Sequence, residues 1–280
     1  MNMPANYGVE HVSPMIGSEI SGLDLSKSLD EDTVASLRAL WLERKVLFFR
    51  DQRLTPDQQL AFTRQFGEVE KYPFLKGIEG NPLVAPVLKL PEETINFGGV
   101  WHSDTTYLAE PAAGATLYAL ELPPVGGDTI FCNMGAAFEN LPKEIREMIA
   151  GLSAVNTSAK ATVSATRKAR IDDSGDISAP KEFTEIHPVV RTHPETGEKT
   201  LYVNEAHTLR FDGWSQEDSE PVLHILYEHA RKPEFQCRFR WTVGSVVLWD
   251  NRSTHHYPIN DYHGYRRLLH RISLKGSRPA

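Results

Sequence analysis

"CRFRWTVGSVVLWD", residues 237–250, contains two short runs rich in branched and aromatic side chains, "CRFRW" (237–241) and "SVVLWD" (245–250), joined by the turn "TVGS". Such runs suit the pleated, half-buried surface of a strand, and a glycine between them lets the chain reverse. The pattern recurs in "KVLFF" (45–49), "GATLYALEL" (114–122), "GDTIFC" (127–132), "PVVRTH" (188–193), "TLYVNE" (200–205) and "RRLLHRISL" (266–274), with the hairpin turn "HPETGEK" between two of them. Many short strands separated by turns predict an antiparallel barrel or sandwich. The expected class is mostly β with peripheral helices, built as a double-stranded β-helix (jelly roll).

Helical signals are few. "DEDTVASLRALWLERK" (30–45) spaces Val34, Leu37, Leu40 and Trp41 behind an aspartate cap, and "TPDQQLAFTRQFG" (55–67) opens on Thr55, Pro56 and Gln58 and closes on Gly67. Helices are also expected over 135–151, with Pro142 starting the second half, and over 215–232. The segment 158–185 is small, polar and charged without either period, and reads as a mobile lid on one domain spanning 1–280.

A chain of 280 residues with 40% hydrophobic content can bury one large core unaided. Cys132 and Cys237 are too few for a disulfide framework and the N-terminus lacks a secretory pattern, so a reducing cytoplasm is expected. No run approaches the roughly 18 apolar residues needed to cross a bilayer. A net charge of −7 with dispersed Lys and Arg argues against nucleic acid, although Arg266, Arg267, Arg271, Lys275 and Arg278 gather near the C-terminus.

The chemistry concentrates in two places. "NFGGVWHSDTTYL" (96–108) sets His102 and Asp104 two apart, a pairing that chance supplies about 0.5 times in such a composition. A third ligand could come from "LWDNRSTHHYPINDYHGYRRLLHR" (248–271), which follows an apolar strand. Two histidines and one carboxylate with open positions form the facial arrangement that holds Fe(II) for oxygen chemistry. The residues alone leave His255 and His256 both open. An oxygenase using 2-oxoglutarate as two-electron donor must grip a free carboxylate, a task suited to a guanidinium; Arg267 and Arg271, four apart, share one face of a strand. His193-Pro-Glu195 is a rival pair, but it sits in the hairpin turn. His187, His224, His229 and His270 have no partner at ligand spacing and read as packing or surface residues. His207 and His263 stay open as pocket lining, and Trp101, Trp241 and Trp249 read as core beside the site.

Taken in order, "WHSD" (101–104), "GGDT" (126–129), "HPVVRTHPETGEKTLYVNE" (187–205) and "WDNRSTHHY…YRRLLHR" resemble the Fe(II)/2-oxoglutarate-dependent dioxygenases of the taurine dioxygenase and 2,4-dichlorophenoxyacetate (phenoxyalkanoate) dioxygenase family, nearly end to end. The resemblance implies Fe(II), 2-oxoglutarate and O2, with His102, Asp104 and His256, seven residues after Trp249, on the metal. It implies Thr129 and Arg267 on the far carboxylate of 2-oxoglutarate, and Arg271 on an acidic group of the substrate. A carboxylate at 104 implies hydroxylation or oxidative cleavage, where related halogenases carry a small residue. A homo-oligomer, dimer or tetramer, is expected by resemblance only.

Taurine itself does not fit. Tyr72 stands where taurine dioxygenase has a sulfonate-contacting histidine, Phe97 and Gly98 replace a polar pair, and His207 replaces an aromatic contact. Tyr72, Leu75, Phe97, Thr105, Ser158, His207 and Arg271 are expected around a small, mostly apolar organic acid. Two alternatives remain at this level: a zinc hydrolase, since the same ligands bind zinc, and a non-catalytic jelly-roll binding protein. A joint requirement for Fe(II), O2 and 2-oxoglutarate separates them from the dioxygenase.

Overall fold

The computed structural model describes residues 7–160 and 182–280, which are mostly β with few helices. The larger sheet runs β1 (Gly8–His11), β2 (Ser18–Ser21), β3 (Val46–Phe49), β14 (Val246–Asp250), β6 (Gly114–Glu121), β16 (Arg267–Leu274) and β4 (Val69–Glu70), with β5 (Ala85–Lys89) also paired to β16. A second sheet is ordered β13 (Gln236–Phe239), β7 (Thr129–Asn133), β15 (Thr254–Pro258). The TVGS turn therefore does not close a hairpin. It carries the chain from one sheet to the other, and β13 and β14 find their partners elsewhere. The "HPETGEK" turn does close one, between β10 (Val190–Thr192) and β11 (Lys199–Leu201).

The two sheets pack face to face. Phe48 of β3 stacks on Phe239 of β13 with centroids 4.2 Å apart, and Phe131 of β7 meets Phe48 edge-on at 5.9 Å. Val247 and Trp249 enter this layer. Their neighbours Val246 and Leu248 point the other way, against Leu37 and Trp41 of α1 (Glu31–Arg44) and Phe62 of α2 (Pro56–Arg64). Covered on both faces, β3 and β14 need apolar residues at every position, and this is why "VLFF" and "VVLW" read as continuous runs.

Local signals operate as expected at the helix starts. Asp30 accepts the Thr33 N–H at 2.8 Å. Thr55 and Gln58 form a reciprocal capping box with Pro56 in the first turn. Pro142 splits 135–151 into α3 (Met134–Glu139) and α4 (Lys143–Ile149), where it caps the second. With α5 (Gln216–Ala230) these helices form a further core against β12 (Thr208–Phe211) and β8 (Ser153–Thr157). Residues 161–181 of the expected lid lie outside the described residues. Its flanks are joined: Ser158 donates its N–H to the Phe183 carbonyl and Phe183 returns one to Ser158 Oγ, both at 2.9 Å, leading into the pairing of β8 with β9 (Thr184–Pro188). Among the described residues no helix is long and apolar enough to cross a membrane, and Cys132 and Cys237 are free and buried.

Candidate active site

His102 and His256 meet in a two-residue bridge at the edge of the smaller sheet: the His256 N–H donates to the His102 carbonyl at 2.8 Å, and the His102 N–H returns at 3.1 Å. The bridge brings the imidazoles to 4.1 Å between centroids. Asp104, two residues on, places Oδ1 3.5 Å from His102 Nε2 and Oδ2 4.0 Å from His256 Nε2. One ligand atom from each lies within 4.8 Å of the others, and all three residues are buried.

Neighbouring groups set the ligating form of each. The His102 Nδ1 faces the Val100 carbonyl at 2.6 Å; a carbonyl only accepts, so Nδ1 carries the proton and Nε2 presents its lone pair. Gly98 sits against this ring, where a Cβ would come within 3.0 Å of His102 Cε1. His256 is wedged between Phe131 and Trp249; burial, with His102 beside it, holds it well below the usual histidine range and keeps it neutral. Burial opposes the charge on Asp104, but Arg271, with His256 and His102, outweighs it and holds the carboxyl well below its ordinary range. Two imidazoles and one carboxylate converging in a buried pocket fit a divalent first-row metal with open positions.

The backbone under Asp104 is held by Asn251, a residue to which no sequence motif gives a role. Asn251 Oδ1 accepts the Asp104 N–H at 2.7 Å and the Ser103 hydroxyl at 3.0 Å, and Nδ2 donates to the carbonyls of Asp104 (3.0 Å) and Ala112 (2.8 Å). Thr105 follows in the left-handed region, φ 54°, unusual for a branched residue. Its Oγ1 accepts the Ala112 N–H at 3.0 Å, so its hydroxyl shapes this turn.

A cavity opens from the histidines and is lined further in by Asn96, Thr129, Trp241, Tyr262 and Arg267. Arg267 and Arg271 both reach it from β16, as their even spacing predicts. Arg267 donates to the Gly127 carbonyl at 3.1 Å and lies near the Trp241 and Tyr262 rings; among the described residues it forms no ion pair with a carboxylate. The Trp241 indole donates to Thr129 Oγ1 at 3.0 Å. An indole N–H cannot accept, so the Thr129 hydroxyl proton stays available for an acceptor in the cavity. Trp241, read from sequence as core beside the site, is buried in that core and also lines the cavity, where it orients Thr129.

The expected substrate residues divide into groups. Phe97 lines the cavity. Tyr72 and Leu75 pack beside it with Phe74, Tyr107 and Phe183 in an aromatic cluster. Arg271 lies 4.7 Å over the Tyr72 ring, donates Nη1 to Asp104 Oδ1 at 2.9 Å, and holds Nη2 2.9 Å from Oδ2. His207 stands edge-on to Tyr107 at 4.9 Å and to His102 at 6.3 Å. Ser158 and Thr105 are taken up with local hydrogen bonds away from the cavity lining. His255 points to the opposite face of β15, into a small pocket with Cys132, Tyr227 and Arg231. His193 braces Asp250 at 3.0 Å while Glu195 pairs with Arg252 and Arg38, so that rival pair is structural.

Residues 8–273 match the taurine catabolism dioxygenase TauD, TfdA family. An alkylsulfatase of Acinetobacter baylyi is 35% identical over 268 residues, 93% of this chain and 82% of that protein. An alpha-ketoglutarate-dependent sulfate ester dioxygenase of Pseudomonas putida is 34% identical over 277 residues, covering 97% and 90%. The crystal structure of a taurine dioxygenase from Burkholderia xenovorans aligns with a TM-score of 0.84 at 35% identity, over 98% of this chain and 93% of that one. These likenesses set aside the hydrolase and binding-protein alternatives. The protein is a dioxygenase dependent on Fe(II), 2-oxoglutarate and O2, and the chain belongs to the taurine catabolism dioxygenase TauD, TfdA family.

Proposed function

We propose that His102, Asp104 and His256 hold the Fe(II), that Arg267 and Thr129 receive the far carboxylate of 2-oxoglutarate, and that the substrate is a small organic acid whose anion meets Arg271. The carrying observation is one cavity lined by His102, His256 and the buried Arg267 guanidinium, which among the described residues forms no ion pair with a carboxylate. The metal and co-substrate together supply the oxidising power, O2 being consumed as 2-oxoglutarate gives succinate and CO2 while the substrate is hydroxylated or oxidatively cleaved.

The chain's own groups bind, orient and exclude water. Arg267 offers a planar fork to a carboxylate and Thr129 adds an O–H donor aimed by Trp241. Asp104 is kept ionised by Arg271, which lies between Tyr72 and Trp249. Tyr72, Phe97 and their aromatic neighbours surround the anion with apolar surface, which suits an acid with a hydrocarbon or aryl body. The relatives named for alkyl sulfates and sulfate esters support an anionic substrate of this kind. We read the scaffold as a single jelly-roll domain, supported by the two facing sheets and by a family match from 8 to 273. A homo-oligomer is the corresponding reading by family resemblance, and a cytoplasmic location the one that the two free cysteines support.

The test is a screen of alkyl sulfates, sulfonates and aryloxyalkanoates for substrate-dependent succinate release, repeated with Arg271→Ala. An acid should be the best substrate and should lose turnover in the variant. A neutral compound turned over equally well by both proteins would overturn the anionic reading.

A further inference from the structure

Beside Arg267 and Arg271 the cavity is lined by a further cation, Lys89, that neither the sequence motifs nor the resemblance assigns. Lys89 ends β5 and is the direct register partner of Arg267 across the β5–β16 pair, so the two side chains leave the same face of the sheet. Both line the cavity and both are buried, Lys89 at 4% and Arg267 at 6% exposure. They share an aromatic wall: the Lys89 ammonium lies 4.2 Å from the Tyr262 ring centroid and the Arg267 guanidinium 5.8 Å from it.

Among the described residues neither forms an ion pair with a carboxylate. Lys89 Nζ donates to Asn260 Oδ1 at 2.9 Å, a neutral acceptor, and among the described residues it forms no ion pair. Glu93 acts on it through space, its own carboxylate accepting the Leu90 N–H at 2.6 Å. Asp128, which acts on Arg267, is paired with Arg238 at 2.7 Å. Burial, with the Arg267 charge, weighs against the ammonium form of Lys89. Two adjacent buried cations with no carboxylate in direct contact are costly unless an anion joins them.

We propose that Lys89 is a specificity-determining residue of the co-substrate pocket, pairing with Arg267 around the far carboxylate of 2-oxoglutarate so that the site selects 2-oxo acids carrying a second negative charge. The inference rests on the proposed placement of 2-oxoglutarate. It adds that one guanidinium and one hydroxyl do not account for the whole recognition.

The experiment measures binding, not turnover. Mn(II)-loaded protein is titrated with 2-oxoglutarate and with 2-oxopentanoate, which keeps the chelating head and lacks the far carboxylate, using the fluorescence of the cavity tryptophans Trp241 and Trp249. Lys89→Met should weaken 2-oxoglutarate roughly 10- to 100-fold, the range for losing a hydrogen bond to a charged group, and leave 2-oxopentanoate within about twofold, while Lys89→Arg recovers most of the loss. Equal weakening of both acids would make Lys89 a structural residue, and no weakening of either would remove it from the pocket; each overturns the proposal. Wild-type protein that does not distinguish the two acids would instead overturn the placement of the far carboxylate at Arg267 and Thr129, and this inference with it.

Discussion

Replacing Asn251 isolates how the metal ligand Asp104 is held. The side chain makes four buried hydrogen bonds, three of them to backbone groups of Asp104 and Ala112 and one to Ser103. At about 1 kcal/mol net for each, partly offset by relaxation, Asn251→Ala should cost about 3 kcal/mol of stability. For a chain of this size that lowers Tm by roughly 6–12 °C. Loosening the Asp104 backbone should also weaken metal binding by roughly 10- to 100-fold, the usual effect of removing a group that orients a ligand. Asn251→Asp keeps the shape but turns the Nδ2 donor into an oxygen facing two carbonyl oxygens at 2.8 and 3.0 Å, so it should be worse than alanine on both counts. Differential scanning calorimetry and Mn(II) titration followed by calorimetry make the two measurements. If the alanine variant melts lower yet binds Mn(II) within twofold of wild type, or if aspartate is milder than alanine, the positioning argument is wrong.

Three further outcomes follow from the geometry. His256→Ala should abolish tight Mn(II) binding and His255→Ala should preserve it, since His255 faces the opposite pocket; titration of both variants with the metal decides it. Trp241→Phe removes the donor that fixes Thr129 Oγ1 and should weaken 2-oxoglutarate binding about threefold to tenfold, with the metal affinity unchanged. Burial pushes the Glu70 carboxyl up to about 7, so the native state holds a proton there that the unfolded chain releases near its ordinary value. Stability contributed by that proton is full below about pH 4.5 and is lost as pH rises through about 7. Glu70→Gln should therefore melt higher relative to wild type at pH 8 than at pH 4, and an equal offset at the two pH values would refute the assignment.

Much of this protein was readable from residue order because the signals involved are local. Strands β3 and β14 announce themselves because both faces are covered, so "VLFF" and "VVLW" are unbroken apolar runs, while β6 and β16 are marked by the branched and aromatic residues between their polar ones. The helix starts at Asp30 and Thr55 rest on side chains that reach only three residues along the chain. The spacing of Arg267 and Arg271 gave them a common face because a strand repeats every two residues. Tertiary structure decided the rest. "THHYP" carries no strand pattern, yet 254–258 is a strand because it finds β7, and that pairing turns His256 toward the site and His255 away. The TVGS turn looks like a hairpin and is a crossing between sheets, since partner choice depends on which apolar faces meet. Lys89, Asn251 and Trp241 lie 178, 147 and 112 residues from the groups that give them their roles, Arg267, Asp104 and Thr129 (267 − 89, 251 − 104 and 241 − 129). No local period links such positions; strand pairing within a sheet brings Lys89 to Arg267 and Trp241 to Thr129, and the turn after β14 carries Asn251 to Asp104.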